Sequence, residues 1–72
     1  MEHWNWTRFI NKETGLEISN VDIILTSLFD GLQITIKGGS KDLVFNVRTW
    51  EYVFSSNKDD KCGLFVYVNV ES

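Results

Sequence analysis

The chain has 72 residues, a formal net charge of −3 and a pI near 4.9. That length makes one domain, which buries only about 60% of its unfolded surface, and a lone Cys62 excludes an internal disulfide as a staple. The acid excess argues against binding nucleic acid by neutralising phosphates, a task that needs surplus Lys and Arg. Three Trp, two Tyr and five Phe are then the obvious source of a core, since each ring can bury roughly 150–250 Å². No apolar run approaches the ~20 residues of a membrane span, and the first residues lack the basic and apolar pattern of a secretory signal. A soluble, cytoplasmic protein without membrane contact is expected. The sequon Asn5-Trp6-Thr7 has little meaning in that setting.

In chain order, "NWTRFINKETG" at 5–15 predicts a short helix. Trp6, Phe9 and Ile10 fall at i, i+3, i+4, Asn5 can cap the first turn, and Gly15 stands where a C-terminal cap is wanted. Trp6 then belongs to the core. Trp4 either packs back on the first turn or stands ready for a partner. A strand would instead place Trp4, Trp6, Arg8 and Ile10 on one face.

"FDGL" at 29–32 carries the Asp-Gly signal of a two-residue type I′ hairpin. It would set Ile23, Leu25 and Phe29 on one face with Leu32, Ile34 and Ile36. A competing helix over 20–29 would use Val21, Ile24, Leu25 and Leu28 as its stripe, with Ser19 as cap and Gly31 as stop. The β-branched content and the alternation after the turn favour the hairpin.

"KGGSKD" at 37–42 is a turn. Leu43, Phe45 and Val47 then alternate inward, but past Arg48 the apolar parity changes to Trp50, Tyr52 and Phe54. A shift of one residue within a strand implies a bulge or bend. The alternative is a short helix over 50–56 capped by Thr49. After a polar loop at 55–63, the last strand carries Leu64, Val66, Val68 and Val70 on one face and Phe65, Tyr67 and Asn69 on the other. The expected fold is one α+β domain, 1–72: a short N-terminal helix packed on a small antiparallel sheet of about four strands in a meander. A second helix at 20–29 or 50–56 is the alternative.

Chemistry is sparse. His3 is the only histidine, and Cys62, beside Lys61, has no base near it in the chain. Asn57, Asp59 and Asp60 lack calcium-loop spacing, and one Cys with one His cannot complete a tetrahedral zinc site. "KGGSK" joins two predicted strands, unlike a phosphate loop that runs into a helix. No catalytic residue, metal site or cofactor is expected.

A helix on one face of a small sheet leaves the other face open, which points to a non-catalytic protein-binding domain: an inhibitor, adaptor or accessory protein. The contact residues expected are Trp4, Trp50, Tyr52, Phe65 and Tyr67, with Arg8 and Arg48 at the rim. Three alternatives accompany it. The terminal strand 64–70 could lie at a sheet edge and form a homodimer. Trp50, Tyr52, Phe65 and Tyr67 could stack single-stranded nucleic acid, with Arg48, Lys37, Lys41, Lys58 and Lys61 around them, although Asp42, Glu51, Asp59 and Asp60 oppose it. Finally, "INKETGLEI" at 10–18 followed by "DIIL" at 22–25 resembles the N-terminal stretch of the phage uracil-DNA glycosylase inhibitor, a helix running into an edge strand. That resemblance implies an acidic DNA mimic that blocks a DNA-processing enzyme. It stops before Leu32 and carries no residue role with it.

Overall fold

The structure, a computed structural model, describes residues 5–54 and 62–70. The described residues form five strands: β1 Asn5–Asn11, β2 Glu17–Val21, β3 Gln33–Ile36, β4 Leu43–Val53 and β5 Cys62–Val70. Their spatial order is β2-β1-β5-β4-β3, and the sheet curls into a half-barrel. β1 and β5 run parallel, while every other pair is antiparallel.

This corrects the expected α+β meander: among the described residues there is no helix, and the first and last strands pair in the middle of a mixed sheet. The 5–15 helix is strand β1 plus a hairpin loop. Thr7 and Phe9 turn to the core, while Trp6, Arg8 and Ile10 lie on the opposite face. Trp6 is half-buried there and is not a core residue. A central strand that is apolar on both faces loses its alternation, and the remainder imitates helical spacing. The helix-ending "NKETG" forms a single tight turn instead. Gly15 N donates to Asn11 O (2.7 Å), Glu13 N to Asn11 Oδ1 (2.9 Å) and Leu16 N to Thr14 Oγ1 (3.2 Å). The stretch that resembles the glycosylase inhibitor thus has no helix before its edge strand.

The core lies on one face of the sheet and consists of Phe9, Phe45, Val47, Leu64, Val66 and Val68, with Ile18, Val21, Ile34 and Ile36 packed around it. Residues 22–32 cross this face without regular structure, contributing Leu25, Leu28 and Leu32. Neither the 20–29 helix nor the first arm of the predicted hairpin forms. The turn itself does: Leu32 N donates to Phe29 O (3.1 Å). Gly31 has φ +94° but Asp30 does not have positive φ, which is the sign pattern of a type II turn. A type I′ turn would match the twist of two paired strands, whereas this one releases the chain across the core.

Two side chains pin the crossing segment. Buried Thr7 Oγ1 donates to Ile23 O at 2.6 Å, and Tyr52 Oη donates to Leu25 O at 3.0 Å. Thr7→Val keeps the shape and removes the first bond. It is expected to cost about 1 kcal/mol. A lowered urea midpoint at unchanged m-value would show it, with faster amide exchange confined to 22–32.

β4 carries its register shift between Val47 and Thr49, so Arg48 is the extra residue where the apolar parity changes. The strand continues to Val53, which replaces the alternative helix at 50–56. β5 begins at Cys62, inside the stretch expected as loop, and residues 55–61 lie outside the described residues. β5 is bonded on both sides, by β1 and β4, so the strand expected at an edge is central.

Candidate functional site

Sheet pairing decides which candidate residues can act together, because residues opposite one another project from the same face. Tyr52 is opposite Leu64 and Trp50 opposite Val66, which places both rings on the core face beyond the main core. Phe65 is opposite Glu51 and Tyr67 opposite Thr49, on the other face. The bulge at Arg48 causes this split. The four-ring platform of Trp50, Tyr52, Phe65 and Tyr67 is therefore not assembled on one surface. Trp4, His3, Lys58, Lys61 and the acidic Asp59 and Asp60 lie outside the described residues.

On the outer face, parallel pairing sets Trp6 beside Gly63, Arg8 beside Phe65 and Ile10 beside Tyr67. Trp6 and Phe65 meet edge to face, with centroids 5.1 Å apart and planes at 67°. The Arg8 guanidinium lies over the Trp6 ring, 4.7 Å from its centroid, and its Nε is 3.6 Å from Glu17 Oε1. Cation–π contact and a surface ion pair each contribute about 0.5–1 kcal/mol or less at such exposure, so they orient Arg8 more than they stabilise the sheet. Gly63 is buried because the indole rests on it, and a Cβ built there would overlap Trp6. The absence of a side chain at 63 is what lets Trp6 lie flat.

Around this apolar centre stand Asn20, Thr49, Glu51, Asn46 and Asn69, each placed on the same face by its pairing. Among the described residues no segment crosses the outer face, since 22–32 packs on the other one. Arg8, Phe65 and Tyr67 of the expected contact set are thus brought together. Trp6 and Ile10 join them, although the sequence reading placed both on a buried helix face. The strand parity of Trp6, Arg8 and Ile10 was the signal that could have found them.

Trp50 and Tyr52 belong to a second exposed patch. Tyr52 stacks with Phe54 at 6.0 Å, and Phe54 lines a groove of about 600 Å³ with Ile23, Asp22 and Cys62. Arg48 reaches back to Asp30 in the turn, Nε to Oδ1 3.4 Å, and lines a shallow hollow with Thr49 and Trp50. An apolar hollow of about 350 Å³ lies beneath the crossing segment, lined by Phe9, Leu25, Leu28, Leu32 and Ile34. Among the described residues no three His, Cys, Asp or Glu side chains come together as metal ligands, and no helix is long and apolar enough to cross a membrane. Cys62 is a free, half-buried thiol at the start of β5. No protein-family model matches this chain, and no curated protein or solved structure shows a significant match, so its surfaces are interpreted from their own chemistry.

Proposed function

We propose that the protein is a small, non-catalytic protein-binding domain that uses the outer face of its sheet. The observation that supports this reading is the half-buried Trp6–Phe65 pair with Tyr67 and Ile10 beside it, set within a ring of polar groups that includes Arg8 and Glu51. Protein interfaces have this anatomy, an apolar and aromatic centre inside a polar rim, and Trp, Tyr and Arg are the residues that most often dominate their energetics. The rings are held by paired central strands, so little ordering entropy is lost on binding. An inhibitor, adaptor or accessory protein would work in this way, without chemistry of its own.

Affinity capture from a host lysate, with and without nuclease, tests the reading when wild type is compared with Tyr67→Ala and Arg8→Ala. A partner protein recovered in stoichiometric amount, indifferent to nuclease and weakened about tenfold or more by either variant, is the expected result. Circular dichroism establishes that the variants remain folded. Capture that disappears with nuclease would transfer the function to nucleic acid. Capture unchanged in both variants would remove the outer face from consideration.

A further inference from the structure

The second exposed patch has a property that the outer face lacks: free backbone. β3 pairs with β4 only from Leu43 to Asn46, and the contact ends with Val47 N donating to Leu32 O (2.8 Å) and Gly31 N donating to Val47 O (2.7 Å). There the type II turn carries the chain away. From Arg48 to Val53, β4 is bonded to β5 on one side. On its other side, among the described residues, no backbone bond is made. The sheet therefore has a step, with half of β4 as an open edge.

We infer that this edge pairs with the same edge of a second copy, antiparallel across a two-fold axis, to make one continuous sheet. The other edges are blunted in the usual ways. β2 is short and carries Glu17 and Asn20, and β3 is shorter still and runs into Lys37 and two glycines. Arg48–Val53, "RTWEYV", contains no proline, glycine or lysine, and Thr, Trp, Tyr and Val all favour strands. Its apolar residues are exposed, Trp50 and Tyr52 at 37% each, Val53 at 36% and the adjoining Phe54 at 72%. A chain this small, with six fully buried apolar side chains among its described residues, gains most from burying these rings against a copy of itself.

Symmetry then limits the register. Opposed residues must share a face, so the two-fold axis passes through a residue position and not between two. An axis at Glu51 would set two carboxylates directly opposite each other, which is destabilising. An axis at Trp50 sets the two indoles side by side and Thr49 opposite Glu51. An axis at Tyr52 sets Trp50 opposite Phe54 and Glu51 opposite Val53. The registers centred on Trp50 and on Tyr52 bury aromatic against aromatic and leave each Glu51 facing a neutral residue. A second copy presents the same exposed rings in either register, which favours it over an unrelated extended peptide.

The inference rests on the free backbone of β4 and on Trp50 and Tyr52, not on the Trp6–Phe65 cluster, so either proposal can fail alone. Sedimentation of the full chain over a range of concentrations should show the 8.4 kDa species doubling in mass. Trp50→Lys should weaken self-association at least about thirtyfold, as loss of a central aromatic anchor does. In a C62S background, W50C or Y52C should form a disulfide-linked dimer on mild oxidation, whichever lies on the axis, and T35C on β3 should not. Should Trp50→Lys fail to fold, the cross-linking decides. A chain that stays monomeric at millimolar concentration would overturn the proposal. So would a dimer that links through T35C, or one indifferent to the β4 substitutions. A monomer whose edge binds only an unrelated peptide would give the edge to another partner and overturn it equally.

Discussion

Phe45→Ala is expected to remove a large share of the folding stability, about 3–5 kcal/mol, and to lower the urea midpoint sharply. Phe45 is fully buried in β4, opposite Ile34 on one side and Val70 on the other, and its ring lies 4.9 Å from that of Phe9. Truncating a buried phenylalanine costs about 3–5 kcal/mol, part transfer and part cavity. A chain of this length has a total stability of about 4–11 kcal/mol. The cavity would open beside Phe9, over β5, in the layer beneath the crossing segment, where neighbouring strands are tied by hydrogen bonds and cannot close in. Urea denaturation followed by tryptophan fluorescence gives the answer, at one fixed protein concentration because dimerisation would otherwise shift the midpoint. A midpoint within error of wild type would mean that the ring is not the centre of the core.

Gly63→Ala carries the second large effect, and its origin is different. Gly63 sits in a central strand with ordinary backbone dihedrals, where glycine weakens a strand and alanine would normally be no worse. Here the added methyl overlaps the Trp6 indole, which is itself held by Phe65 and Arg8. The ring must lift or the strands must part, a cost of about 1–3 kcal/mol. Combining it with Trp6→Ala isolates the cause. In that background the methyl has room, and Gly63→Ala should be neutral or slightly stabilising. Equal destabilisation with and without Trp6 would show that the glycine is needed for another reason. Displacement of Trp6 also disturbs the outer face, so Gly63→Ala is expected to weaken partner capture even at concentrations of denaturant where the chain is still folded.

How much of this was legible beforehand varies strand by strand. Phe45 and Val47, and Leu64, Val66 and Val68, alternate because one side of each strand faces the core and the other does not, and this period of two survives in a single sequence. The bulge was visible for the same reason, since Arg48 interrupts the parity. β1 was not legible, because Trp6 and Ile10 pack on one face and Phe9 on the other. The crossing segment was misread as a strand or helix, since Leu25, Leu28 and Leu32 show that it is covered on one side without showing what it covers. The contact set divided along the same line. Arg8, Phe65 and Tyr67 share a face, while Trp50 and Tyr52 were placed on the other by the bulge.

By itself, then, the sequence determined the local matters: the inward alternation of β4 and β5, the turns at 29–32 and 37–42, and the bulge at Arg48. Each is a property of neighbouring residues, set by side-chain direction and glycine backbone freedom. Only the tertiary structure decided that β1 is a strand, that it lies parallel to β5, and that β5 is central. The parallel pairing joins the first strand to the last, Asn5 to Cys62 and Asn11 to Val68. No local pattern encodes such a pairing, because its stabilisation comes from burying both faces of a sheet whose strands are far apart in the chain.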